Sequence, residues 1–152
     1  MTLKIITVTS VLAVAILFFS LYKNNANLFE PPGVVERLQL FLTTNTAKTS
    51  PDHKLKELRT PQFDLNSEDL YKRVLRAASD LGWEVLTFDS ENQNANFVVY
   101  SDVFLFEDDI YVQVQYLDQN SSSLHVESHS RIGSADFAAN SGHIQELIKA
   151  LK

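Results

Sequence analysis

The chain has no cysteine. That absence removes disulfides, thiolate metal sites, a cysteine nucleophile and an acylated-cysteine membrane anchor. Glycine and proline are scarce, at four each in 152 residues, so neither a collagen-like nor a low-complexity chain is compatible with the composition. Positive charge is also short: 13 Lys and Arg face 19 Asp and Glu, a net charge of -6. An acidic protein repels phosphates, and the electrostatic term behind most nucleic-acid binding is missing. The densest basic stretch, Lys48 to Arg59, is diluted by Asp52 and Glu57. No nucleic-acid partner is expected.

What is present suits one globular domain. Apolar residues are 45% of the chain and charged residues 21%, and 152 residues hold too little core for two domains. The segment Ile5 to Tyr22 (IITVTSVLAVAILFFSLY) carries no charge. As a helix, its eighteen residues span about 27 Å at ~1.5 Å each, close to a hydrocarbon core of roughly 30 Å. The run is longer than the apolar part of a cleavable signal, and KNNANLF after it offers no small-residue cleavage site. It is expected to be a retained single-pass anchor. The short N-terminal tail, with Lys4 before the segment and Lys23 after it, favours N-in and C-out. The expected location is the inner membrane with a periplasmic C-terminal domain. The bilayer is the expected partner, with a membrane or envelope protein as a second.

Residues 1–23 are therefore read as the anchor, 24–60 as a linker with a short amphipathic helix, and 61–152 as the folded domain. Pro31, Pro32 and Gly33 can open the linker helix, which places Val34, Leu38, Phe41 and Leu42 on one stripe. Thr43 to Thr60 reads as an extended surface loop, and Thr60 to Leu65 as a short edge strand that tolerates Pro61. Asn66 or Ser67 can cap the strongest helix, whose stripe is Leu70, Val74, Ala77, Ala78 and Leu81, ended by Gly82. Strands are expected at Trp83 to Asp89, Ala95 to Phe104, Asp109 to Leu117 and Ser123 to Ser130. The third alternates Ile110, Val112, Val114 and Tyr116 against Tyr111, Gln113 and Gln115, which indicates a sheet covered on one side. Short connections make neighbouring strands antiparallel. The last helix runs from about Asn140 to Leu151. The expected fold is α+β: four antiparallel strands plus a short edge strand, backed by two helices and preceded by a transmembrane helix.

SRIGSADFAAN, Ser130 to Asn140, resembles the Ser-Arg-x-Gly-x-x-Asp-x-x-x-Asn signature of the family named domain of unknown function 1499. FEDD, Phe106 to Asp109, is similar to the turn that precedes that family's third sheet strand. PPG–ERL at Pro31 to Leu38, LTTN at Leu42 to Asn45 and ELRTP at Glu57 to Pro61 resemble a membrane-anchored bacterial branch. The likeness covers roughly residues 31 to 151. This chain departs from the pattern in lacking the family's Pro-Asn-Cys-Val segment, and in carrying Ala138 where glycine is common. The resemblance implies a fold and a location, and no activity.

The candidate ligand-binding residues are Ser130, Arg131, Gly133, Asp136, Asn140, Asp108 and Asp109. Arg131 is expected to be at least partly buried, forking across Asp136, Asp108 or Asp109. An internal ion pair that pins the loop is the simpler reading, and an anion or ligand pocket the functional one. Gly133 can supply a positive φ, and Asn140 can cap the last helix. His125, Glu127 and His129 alternate onto one strand face, where two histidines and a carboxylate are plausible zinc ligands. A solvated face is the plainer explanation, and no metal is expected. Ser134, Asp136 and His143 invite a triad, yet no nucleophile-elbow glycines flank Ser134. Glu107, Asp108 and Asp109 lack the spacing of a calcium loop. No cofactor motif occurs. The leading expectation is a membrane-anchored accessory or binding domain without catalysis. The alternative is a small hydrolase or metal-dependent enzyme using the Arg131–Asp136 loop or the His125/Glu127/His129 face.

Overall fold

A computed structural model describes residues 2–152. Helix α1 (Thr2–Lys23) leads into α2 (Val34–Thr43), then strand β1 (Thr46–Lys48) and a 3-10 turn at Lys56–Leu58. There follow β2 (Gln62–Phe63), α3 (Ser67–Asp80), β3 (Glu84–Asp89), β4 (Asn94–Tyr100), β5 (Glu107–Asp118), β6 (Ser121–Ser130) and α4 (Ala139–Ala150).

The sheet is antiparallel throughout, in the order β1-β6-β5-β4-β3, and β2 pairs with β6 as well. The α+β class holds: among the described residues the four helices fall where helices are expected, and the sheet has six strands rather than four and an edge strand. The added strand, β1, comes from the segment expected to be a surface loop. Three residues are too few to show a periodicity, yet Thr46 to Lys48 pairs with His129 to Glu127. The same segment buries Leu55 and Leu58 against the core. The second strand also ends earlier than expected, at Tyr100, where Ser101 folds the chain into a turn: its amide donates to the Phe106 carbonyl, and its hydroxyl accepts from the Phe106 amide.

The core lies between one sheet face and the helices α3 and α4. Alternation along the strands delivers Ala95, Phe97, Ile110, Val112, Val114, Leu124 and Val126 to that face. Leu70, Val74 and Ala78 meet them from α3, and Ile144, Leu147 and Leu151 from α4. Asn66 caps α3 by accepting from the Asp69 amide at 2.9 Å, and Glu68 and Asp69 sit in the first turn, where carboxylates suit the helix dipole.

The apolar stripe expected of α2 is only partly buried. Phe41 enters the core, Leu38 packs at its edge, and Val34 and Leu42 keep more than a third of their surface in solvent. Arg37 is fully buried as well. Its guanidinium forks onto Glu57 (2.6 and 3.2 Å) and donates to the carbonyls of Ala26 (3.1 Å), Glu30 (2.9 Å) and Pro31 (2.8 Å). One cation thus gathers the turn after α1, the start of α2 and the 3-10 turn. Burial alone raises the Glu57 carboxyl; the Arg37 hydrogen bonds and charge outweigh it, and the net shift is downward.

Removing one member of a buried pair typically costs about 3–5 kcal/mol, so Arg37→Met should lower the denaturant stability of the detergent-solubilised full chain by about that amount. A loss near that of an exposed pair, about 0–1 kcal/mol, would contradict the assignment. Because the folded pKa of Glu57 is depressed, its contribution is present above the ordinary value of 4.5 and is lost as pH falls through the folded value.

Candidate functional site

Strand alternation divides the sequence-derived candidates into two groups. Asp108 and Asp109 are adjacent on β5, so they face opposite sides of the sheet. Asp108 pairs in register with Ser130, and Asp109 with His129. Asp108 and Ser130 lie under the N-terminal end of α4, together with Asp136 and Asn140. Asp109 and Arg131 lie on the open face.

The covered group is a hydrogen-bond network centred on Asn140. Its amide donates to the Asn45 carbonyl (2.8 Å), the Ser130 hydroxyl (3.0 Å) and the Asp136 carboxylate (2.7 Å), and its oxygen accepts from the Ser128 hydroxyl (2.5 Å). Asn140 is fully buried, where an unpaired amide would be costly. It therefore does not cap α4. Asp136 does so, accepting from the amides of Ala138 (2.9 Å) and Asn140 (3.3 Å). The loop between β6 and α4 is shaped to allow this. Gly133 has φ +92, a conformation side chains disfavour, and its carbonyl accepts from Asn45 at 2.8 Å. The Asp136 and Phe137 amides donate to the carbonyls of Thr44 and Phe41. Phe137 and Ala138 are both left-handed, at φ 51 and 70. The position where the family pattern favours glycine is thus one that demands a positive φ, and Ala138 is held there by its bond to Asp136.

Burial pushes the Asp136 carboxyl up to about 6; the Asn140 side chain and the two amides pull the other way, and the Asp108 charge adds to the rise. Asp108 is also fully buried. Its Oδ2 lies 3.0 Å from His143 Nε2, and the Trp83 ring meets the imidazole edge-on. Its Oδ1 has no hydrogen-bond partner. His143 is thereby engaged by Asp108, and Asp136 by α4, so the Ser134, Asp136 and His143 grouping is not assembled as a relay.

On the open face, Arg131 forks onto Asp109, with Nε at 3.0 and 2.9 Å and Nη2 at 2.6 Å, while Nη1 pairs with Glu107. The Arg131 hydrogen bonds hold the Asp109 carboxyl below its usual value against a smaller opposing effect of burial. Of the three aspartates open to Arg131 in sequence, Asp108 and Asp136 lie on the covered side and Asp109 on the arginine's side. Arg131 pairs with Asp109, and its side chain is 39% exposed, because the alternation that turns Ser130 inward turns Arg131 outward. His129 Nε2 approaches Asp109 at 3.5 Å, and His125 pairs with Glu127 at 3.1 Å. Among the described residues, no group of three or more metal-ligating side chains is arranged to hold an ion.

Sequence reasoning did not find Asn45, Ser128, or the pairing of His143 with Asp108. Ser128 had a signal, since it shares a strand face with Ser130. Asn45 had one in the LTTN run. A groove of about 430 Å³ lies between α2 and the free edge of β1, with Leu40, Phe41, Leu58, Lys48, His53 and Asp136 among its lining residues. It is the largest feature that touches the network.

A family model described as "Protein of unknown function (DUF1499)" matches residues 26–151. No curated protein matches the chain.

Two measurements check this geometry. Asn140→Ala leaves several buried groups unpaired, at about 1–3 kcal/mol each, and should destabilise the chain far more than Arg131→Ala, whose pair is exposed; equal losses would contradict the division. Carboxyl NMR should give Asp136 an apparent pKa near 6, and one below its ordinary 3.8 would refute its dry setting. With the folded pKa raised, its contribution is full below about 3.8 and is lost as pH rises through about 6.

Proposed function

The chain belongs to the DUF1499 family, and from that premise we propose that it is a membrane-anchored accessory domain that binds a partner or small ligand and does no chemistry of its own. The observation that carries this reading is the contrast within α1. Lys4 to Lys23 is long and apolar enough to cross a bilayer, and almost all of it stands clear of the domain. Its last turn does not: Ser20 and Leu21 are buried, and the following Asn24 donates to the Phe137 carbonyl at 2.9 Å. A helix bare along its length and fixed at one end is suited to lipid on the bare part.

The absence of chemistry rests on where the polar groups are committed. Arg131 and Asp136 lie on opposite sides of the sheet, which does not suit a shared reaction centre. Asp136, Asn140, Ser128 and Ser130 are occupied with one another, and Arg131 with Asp109 and Glu107. Gly133 serves the loop. Of the seven candidates, Ser130, Arg131, Gly133, Asp136, Asn140, Asp108 and Asp109, Asp136 lines the groove beside β1, which is the recess offered to a ligand, and the others brace the loop and strands around it. The partner would be a membrane or envelope protein or a small ligand, the location the inner membrane, and the domain periplasmic.

Intact mass of the protein extracted from carbonate-washed membranes should be that of the whole chain. A mature chain starting between Asn24 and Leu28 would overturn the anchor. In spheroplasts of a bacterial host, added protease should digest the domain; protection would reverse the orientation.

A further inference from the structure

The turn between β4 and β5 lies beside the end of α1. Lys23 of α1 approaches Asp102 at 3.8 Å, and a small recess is lined jointly by Ser20 and Asn24 from the α1 side and by Val103, Phe104 and Phe106 from the turn. With Asp102 facing Lys23, the sequence from Val103 to Phe106 is uncharged. It is nevertheless open to solvent: Leu105 is 70% exposed, and Phe104 and Phe106 about 40%. The exposure is fixed rather than incidental. Leu105 sits at φ 54, where a leucine is strained, and is held there by a 2.9 Å bond from its amide to the Ser101 carbonyl. Phe104 is braced by stacking on Phe106 and by contact with Phe137, each at 5.6 Å between ring centres.

Two more bare aromatic rings lie near the helix exit in sequence. Tyr22 is in its last turn, and Phe29, six residues after Lys23, is 92% exposed. Aromatic and basic side chains at the end of a span match the headgroup region of a bilayer, and apolar groups there insert shallowly.

We propose that the Val103–Phe106 turn is a lipid-contact element that dips into the bilayer interface beside the span and fixes the height and tilt of the domain. The proposal rests on α1 being a membrane anchor. Lipid is the occupant because the turn flanks the last turns of a helix that is uncharged from Ile5 to Tyr22 and leaves the domain here. A surface that adjoins a span is at the interface by continuity, without any further partner.

The absence of cysteine permits single-site labelling of the full chain. Leu12→Cys, Leu105→Cys and Asn120→Cys, each carrying an environment-sensitive fluorophore, are reconstituted into phosphatidylethanolamine/phosphatidylglycerol vesicles. Asn120 is at the far end of the β5–β6 hairpin; β5 has 12 residues, so at about 3.3 Å each it lies roughly 35 Å from the turn. All three sites are exposed on the domain or on the bare helix, so the substitutions leave the core intact. Nitroxide-labelled lipids supply the readout. The expected pattern is loss of Leu12 emission with a quencher deep in the acyl chains, loss of Leu105 emission with a quencher near the headgroups, and unchanged Asn120 emission. If Leu12 is quenched while Leu105 behaves like Asn120, the anchor stands and the lipid contact is overturned. If Leu12 is not quenched, the anchor fails and takes the proposal with it. A blue-shifted Leu105 probe that lipid does not quench would mean that a second copy covers the turn, which also overturns the assignment.

Discussion

The side-chain amide of Asn140 joins parts of the chain that no single secondary-structure element brings together. Its donors and acceptor reach the chain just before β1, two serines of β6, and the loop that leads into α4. Asn45 is 95 residues from Asn140 in sequence. In a dry interior each of these groups must find a partner, and a network that is fully satisfied specifies one arrangement. β1 is three residues long, too short to hold its place through ladder bonds alone. The Asn45 carbonyl accepts from both Asn140 and the Ser130 amide, and these bonds fix where β1 begins.

The same loop sets the exit of α1. The Phe137 carbonyl accepts from Asn24 and its amide donates to the Phe41 carbonyl, so the end of α1, the end of α2 and the start of α4 meet at one residue. Gly142 completes the junction. A Cβ there would stand 3.0 Å from the Asn24 carbonyl oxygen, so a side chain at this position would crowd the α1 exit by a few tenths of an ångström. Gln145 and Asn27 add a bond at 3.2 Å, and Gln145 reaches back to the Asn25 carbonyl. A stretch that reads as polar linker by composition is held along its length. The direction in which α1 leaves the domain follows from the loop geometry rather than from a flexible hinge.

The parts of this design that were legible in the sequence are those governed by short-range periodicity. Alternation from Ile110 to Val114 gave the covered face, Asn66 and the stripe from Leu70 gave α3, and the compositions of 91–94 and 118–122 gave the turns. Alternation also dictated that Asp108 and Asp109 part company, a consequence that proximity in sequence obscures. What could not be read depends on long-range pairing. Arg37 interrupts an apolar stripe, and its burial follows only once Glu57 and three carbonyls are known to surround it. Thr46 to Lys48 becomes a strand because β6 is there to pair with it. Tyr116 shares a face with Val114 but is exposed, next to the register shift between Tyr116 and Asp118.

The placement of two carboxylates in the covered layer has a physical logic of its own. Both Asp108 and Asp136 lie near the start of α4, where free amides and the helix dipole favour negative charge. Asp136 uses this directly, accepting from two of those amides. Protonation would weaken all of its acceptor bonds, whereas ionisation incurs the cost of burial and of the Asp108 charge. The two tendencies balance near 6, so above that pH the ionised form, with its full set of bonds, shapes the loop. Phe137 follows Asp136 directly and is in contact with Phe104 of the β4–β5 turn. One buried aspartate thus stands next in sequence to the residue that contacts the β4–β5 turn, at the end of the domain nearest α1.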